Sequence, residues 1–320
     1  MAGLASGWSV VSTDTTANFR GISAPSSRVC WAAGSKGTFA RTIDGKNWKT
    51  AQVVQAKEAE FRSIVAFDAD HAVMLAIGDG EDSQVFRTEN GGASWERTFR
   101  NPDPAAFYDA LAFWDKDHGI AFGDPVEGHI PVLTTDDGGQ TWSRQPSSGM
   151  PPAMPGEASF AASGRCLVTR GSSEAWIATG GGASRVFRTT DRGRTWTVAP
   201  TPVPAGSGSA GLFGLLMLGG KRGIAVGGDY EKEDGPGHLL ATDDGGRTWP
   251  VMGFRPSGLR EAAIRVGNGL MLVGPSGTDI SLDGKTWATV KNPGALHTVA
   301  SAGRSIWAVG SGGVIATWGE

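Results

Sequence analysis

At 320 residues the chain is long for one ordinary domain and short for three. With 49 glycines, 12 tryptophans, 39% hydrophobic and 19% charged residues it is neither a disordered chain nor, lacking any G-X-Y period, a collagen. A net charge of −3 excludes a broad basic nucleic-acid footprint, and two cysteines cannot build a disulfide framework. No run approaches the roughly 18 apolar residues of a membrane helix, so no membrane partner is expected. The opening stretch from Met1 to Trp8 has no basic segment and no apolar core. No secretory signal is read there, and a cytoplasmic location is expected.

In chain order, Gly7-Trp8-Ser9-Val10-Val11 reads as a first strand. The next strong signal is a turn, Thr42-Ile43-Asp44-Gly45-Lys46-Asn47-Trp48. One residue longer, it returns as Thr88-x-Asn90-x-Gly92-x-Ser94-Trp95, Thr135-x-Asp137-x-Gly139-x-Thr141-Trp142, Thr189-x-Asp191-x-Gly193-x-Thr195-Trp196 and Thr242-x-Asp244-x-Gly246-x-Thr248-Trp249. The short form recurs as Ser281-Leu282-Asp283-Gly284-Lys285-Thr286-Trp287. Asp or Asn folds onto backbone N–H groups ahead of it, Gly supplies a positive φ, and Trp opens the next strand. The acids of these turns are therefore structural. The tryptophans recur at intervals of roughly 40–50 residues, the period of a propeller blade. The step from Trp287 through both termini to Trp8 has about the same length, so seven units close a ring. The prediction is an all-β chain: one seven-bladed β-propeller domain over 1–320, made of four-stranded antiparallel blades. The N-terminal strand around Trp8 completes the C-terminal blade by pairing with 314–317, which hides two sheet edges.

These turns resemble the Asp-box (BNR) repeats of sialidases and of the photosystem II stability/assembly-factor-like propellers. Phe107-Tyr108-Asp109-Ala110-Leu111-Ala112-Phe113-Trp114-Asp115 and Gly227-Gly228-Asp229-Tyr230 resemble the bacterial branch of the latter, which often carries an oxidoreductase label. No strand–GxGxxG–helix unit is present, so no cofactor is expected. The resemblance implies that the repeated turn joins strands c and d on a bottom face, while d–a and b–c loops form a top face. A sialidase would carry three arginines and Phe-Arg-Ile-Pro. Phe19-Arg20-Gly21-Ile22 lacks the proline, and the ring of inner strands offers two candidate arginines, Arg20 and Arg62, rather than three, so the architecture is sialidase-like without the activity.

Glycines mark the end of strand b in every blade: Gly34, Gly78, Gly123, Gly180, Gly227, Gly274 and Gly310. Counting back from each places Arg20, Arg62, Asp109, Cys166, Phe213, Glu261 and His297 at the channel mouth. Ionisable groups thus collect at one end of otherwise apolar strands. Arg20 and Arg62 suit an anion, because a planar guanidinium matches a carboxylate. His297, Glu261 and Asp109 are the candidate acids and bases, with Tyr108 beside Asp109. Tyr230 and Asp229, Asp124 and Glu157 are expected on top-face loops as further ligand contacts, with Cys166 at the mouth. The acidic loops around Asp79, Asp124 and Asp229 would offer oxygen ligands to a divalent cation, without EF-hand spacing. His71 and His118 fall in a–b turns and are expected to be structural, and Cys30 to be a small core residue. The run Met150-Pro151-Pro152-Ala153-Met154-Pro155-Gly156-Glu157 is a stiff, enlarged d–a loop expected to wall the top face.

Two functions follow. The first is a cofactor-independent hydrolase or lyase acting on a small carboxylated or polyhydroxylated compound at the channel mouth, working as a monomer. The second is a non-catalytic assembly or scaffold protein, which the resemblance implies.

Overall fold

A computed structural model describes residues 7–11, 13–204 and 206–319. Residues 1–6, most of the stretch in which no secretory signal is read, lie outside the described residues, as does Ser12. The alternating apolar segments form seven antiparallel sheets arranged around one channel. Blades 1 to 3 are built on inner strands Phe19–Ser23, Glu60–Ala66 and Tyr108–Phe113, and blades 4 to 7 on Leu167–Arg170, Ala210–Gly219, Ala262–Val266 and Leu296–Ala302. The only helical elements among the described residues are four short 3₁₀ turns, and no helix is long and apolar enough to cross a membrane.

Ring closure follows the predicted scheme. Gly7–Val11 forms the outer strand of blade 7 against Ile315–Gly319, with Trp8 opposite Trp318 and Val11 opposite Ile315. The Trp8 and Trp318 rings meet edge to face at 5.1 Å, and the Trp8 indole N–H donates to Thr278 Oγ1 of blade 6 at 3.0 Å. The first strand therefore locks both its own blade and the neighbouring one.

The repeated turns join strands c and d and use the hydrogen bonds their residues predict. Asp137 Oδ1 accepts from the Thr141 N–H at 2.9 Å and the Thr135 hydroxyl at 2.8 Å, while Thr135 Oγ1 accepts from the Gly139 N–H at 2.9 Å. Gly139 has φ +82°, and a Cβ there would press on Val73 of the preceding blade. Blades are then sewn together by strand-b tryptophans. Trp31, Trp176 and Trp307 are fully buried, and each indole N–H donates to a backbone carbonyl of the next blade: Asp68, Gly245 and Gly45.

Blade 5 departs from the regular plan. Its outer strand shrinks to a single bridge, Leu240 to Val251. At its other edge, Ala210–Gly219 meets Gly180–Gly181, which in turn pairs with Glu157–Ala158 of the enlarged loop. This ribbon fixes the loop over blades 4 and 5. From there the chain does not stay on the rim but dips into the channel. Ser163 Oγ donates to Glu261 O of blade 6, and Arg165 O accepts from Leu215 N of blade 5. A Cβ on Gly164 would touch Arg62 O and Ser63 of blade 2. Ser163-Gly164-Arg165 therefore forms a plug that separates an upper cavity from a lower one.

Candidate active site and top-face pocket

A shared backbone device aims the mouth residues. The pairing of strands a and b slips by one residue at Arg20, Arg62, Asp109, Phe213 and His297, so each is the extra residue of a β-bulge. A bulge turns one side chain out of the strand's alternation, and here it repeats in five blades. Cys166 and Glu261 stand just before their inner strands instead.

Four of the predicted mouth residues with charge line one top cavity of about 480 Å³: Arg20, Arg62, Asp109 and Glu261. Asp124 and Tyr230 from the b–c loops line it too, together with Phe213. Arg20 Nη1 lies 3.6 Å from Glu261 Oε1 and donates weakly to Ala162 O at 3.5 Å. Arg62 Nη1 donates to Ala161 O at 3.2 Å, and its Nη2 is 3.8 Å from Glu60. The Nε of each arginine is buried without a partner. Burial, and then the charge of Arg20, push the Arg62 pKa down. Two guanidinium groups thus face the same space with long contacts and unused donors.

On the adjoining blade 3, Asp109 is fully buried and neither carboxylate oxygen has a donor. Burial pushes its pKa well up, and the neighbouring Asp124 adds to the shift. Asp124 is itself raised by burial, although it accepts from the Ser159 N–H at 2.8 Å. Another part of the lining is aromatic. Phe160 stacks on Phe213 with centroids 4.2 Å apart, and Tyr230, 49% exposed, stands edge-on to Phe160 at 5.7 Å.

Five expected site residues do not reach this cavity. His297 is buried behind Glu261, with Nδ1 2.8 Å from Glu261 Oε2 and Nε2 2.9 Å from Ser311 Oγ. It orients Glu261 and touches no open space. Tyr108 points into the packing between blades 2 and 3, edge-on to Phe99, where burial raises its pKa to about 12. The bulge turns Asp109 toward the channel and leaves the paired Tyr108 in the packing between the blades. Cys166 packs with Ile120 and Phe122 between blades 3 and 4, its thiol pushed up by burial. Both cysteines are free. Glu157 is an internal anchor: it accepts from Thr179 Oγ1 at 2.6 Å, from the Met154 N–H at 2.9 Å and from the Arg185 guanidinium. Asp229 caps its own turn through the Glu231 N–H at 3.0 Å.

The sequence reading missed Phe160, Phe107 and Glu233, which also line the cavity, and the loop carbonyls that hold the arginines. Phe160 lies in the enlarged loop just past its proline run, a position with no periodicity to mark it. His71 and His118 do sit in bottom a–b turns, 2.9 Å from Asp68 and Asp115 respectively. Among the described residues no group of three or more His, Cys, Asp or Glu side chains is placed to hold a metal ion.

No family model and no curated protein matches the chain. Solved structures with the same fold do. YCF48 bound to D1 peptide is 18% identical with a TM-score of 0.66, covering 98% of this chain and 97% of that one. YCF48 from Cyanidioschyzon merolae is 15% identical at TM-score 0.70, covering 97% and 98%. A catalytically inactive virginiamycin B lyase from Staphylococcus aureus with quinupristin is 13% identical at TM-score 0.64, covering 98% and 99%. At these identities the likeness establishes the seven-bladed fold, in company that includes a peptide-bound protein and a lyase.

Proposed function

We propose that this propeller is a binding protein of the assembly or scaffold type, taking a carboxylate-bearing peptide segment of a protein partner in the top pocket. The observation that carries this reading is the Arg20–Arg62 pair. Both guanidinium groups line the cavity, each held by long contacts and each with an unpartnered Nε, beside the Phe160–Phe213–Tyr230 wall. A carboxylate offers the Nη groups a stronger acceptor than their long protein contacts, and an adjacent apolar side chain covers the aromatic wall. The full-length fold likeness to YCF48 bound to D1 peptide supports a peptide as the ligand. The burial of His297 speaks against the hydrolase or lyase reading, because a general acid or base must reach the proton it moves.

One feature favours the enzymatic alternative: Asp109 is a carboxyl group with no partner at the edge of a cavity, the environment in which an acid retains its proton. The two readings separate by experiment. Fluorescence anisotropy with random short peptides ending in an aromatic residue should show binding that disappears on amidating the C-terminus. Arg20→Met or Arg62→Met should each weaken binding by roughly 1.5–3 kcal/mol, the value of a charged hydrogen bond. Equal affinity for free and amidated peptides rules the carboxylate reading out. Peptide or ester turnover that Asp109→Asn abolishes establishes the enzymatic one.

A further inference from the structure

The a–b and c–d turns of the blades emerge on one face, opposite the peptide pocket, and charge is sorted unevenly around it. Blades 2 and 3 present acids: Asp68, Asp70, Glu89, Asp115, Asp117 and Asp136. The cations beside them, Arg41, Arg87 and Lys116, are paired with three of these acids. Blades 4 to 7 and blade 1 present cations instead. Arg194, Arg222, Arg247, Lys285, Arg304 and Lys46 are exposed, and among the described residues none of the six is in an ion pair. The turn acids between them bend back onto their own backbone. Asp283 Oδ1 accepts from the Lys285 and Thr286 N–H groups at 2.8 and 2.7 Å, and Asp44 Oδ1 from the Lys46 and Asn47 N–H groups at 2.9 and 2.8 Å. Asp243 is also exposed, yet the cations of the arc outnumber its acids. In a ring of seven, blade 6 at the centre of this arc lies opposite the junction of blades 2 and 3.

Two of the repeated turns also break the polar pattern at their tips. The residue after the turn's leading Thr or Ser is Glu89, Asp136, Thr190 and Asp243 in blades 2 to 5, but Ile43 in blade 1 and Leu282 in blade 6. Ile43 is 54% and Leu282 51% exposed, and each is followed three residues on by a lysine, Lys46 or Lys285. One exposed aliphatic side chain is ordinary; two at the same turn position, both inside the cationic arc, form a pattern. At the junction of blades 7 and 1, within the same arc, a cleft of about 400 Å³ is lined by Lys46, Arg304, Thr317 and Trp318 and by no acid.

We propose that this arc docks on an anionic lipid bilayer, with Ile43 and Leu282 entering between the headgroups, the flanking cations on lipid phosphates and one headgroup in the cleft of Lys46 and Arg304. An acidic protein or a nucleic acid would match the cations alone. A bilayer matches both features, because its surface is anionic and the layer beneath the headgroups is apolar. Attachment of this kind stays in the interface, so it needs none of the long apolar runs that a spanning segment requires. The acids of blades 2 and 3 set the tilt, since repulsion lifts their side while blade 6 lies lowest. The surface is independent of the peptide reading, because the pocket opens on the opposite face.

Flotation of the full chain with lipid vesicles tests this directly. Vesicles of equal parts phosphatidylcholine and phosphatidylglycerol should capture the chain roughly tenfold better than phosphatidylcholine alone. Salt at about 1 M, where the screening length is ~3 Å, should remove that capture. Lys46→Glu with Arg304→Glu should lower it roughly tenfold or more. Lys57→Glu with Lys232→Glu, the same change in net charge made on top-face loops, should leave it unaltered. Ile43→Ser with Leu282→Ser should lower capture severalfold with every charge in place. If a bottom-face variant fails to fold, the lipid and salt series on the native chain decides. No capture by the anionic vesicles, or equal capture by neutral ones, overturns the proposal. So does an equal loss in the two charge variants, which would assign binding to net charge alone. An Ile43 and Leu282 double variant that binds like the native chain overturns it as well, in favour of a polyanionic partner.

Discussion

Asp109 is the residue whose protonation should be felt most in the stability of the fold. Its pKa is raised in the folded state by burial and by Asp124, so the native protein holds a proton that the unfolded chain releases. Above the ordinary carboxylate range the native state therefore binds more protons, and stability must fall as pH rises toward the raised value. Asp109→Asn removes the titration while retaining the shape. It is expected to raise Tm near neutral pH and to flatten the decline, which a Tm series from pH 4 to 8 will reveal. An unchanged profile would show that Asp109 is not the group responsible. The turn acids have the opposite sign. Hydrogen bonds from Thr141 and Thr135 hold Asp137 below the usual carboxylate range despite the opposing effect of burial. Their contribution is present at neutral pH and is lost as acid protonates the turn. Asp137→Ala should cost about 1 kcal/mol in urea unfolding, the low end for such bonds because the turn is partly solvated, with ligand binding per folded molecule unaltered.

Among the elements, the inner strands decide the chemistry. Their bulges put Arg20, Arg62, Asp109, Phe213 and His297 at equivalent places, yet the fate of each side chain depends on what the neighbouring loops leave open. His297 is covered by Ser311 and Glu261, whereas Arg20 and Arg62 border the cavity. The enlarged loop has two roles. Its Glu157 is pinned to Arg185 and Thr179, and its continuation forms the aromatic wall and then the plug. Glu157→Gln should therefore loosen the loop and weaken peptide binding without removing any direct contact. Limited proteolysis between residues 150 and 165 gives the check: cleavage should be faster in the variant, and an unchanged rate would mean that the anchor is dispensable.

At the scale of the whole molecule, closure by the first strand governs stability. Gly7–Val11 covers an edge of Ile315–Gly319, and Trp8 also reaches blade 6 through Thr278. Removing residues 1–12 exposes that edge and frees both contacts. The expected result is aggregation or a Tm lower by on the order of 10 °C, since each ~1 kcal/mol moves Tm by a few degrees in a chain of this size. A truncated chain that melts with the full one would contradict the closure scheme.

The sequence by itself determined the seven blades, the structural nature of the turn acids, the closing strand and the level at which Arg20, Arg62, Asp109 and Glu261 lie. These are local facts: a Thr-x-Asp-x-Gly-x-Thr-Trp turn and a glycine at a strand end each act through neighbours a few residues away, and repetition multiplies the signal. The tertiary structure alone decided which of those side chains face open space. The pairing of His297 with Glu261 of blade 6, the burial of Tyr108 against blade 2, and the course of Ser159–Arg165 across the channel to blades 6 and 7 depend on contacts between blades. No spacing encodes those encounters. The Arg165 guanidinium shows the limit most clearly, because it lies between blades 1 and 7 only after the ring has closed.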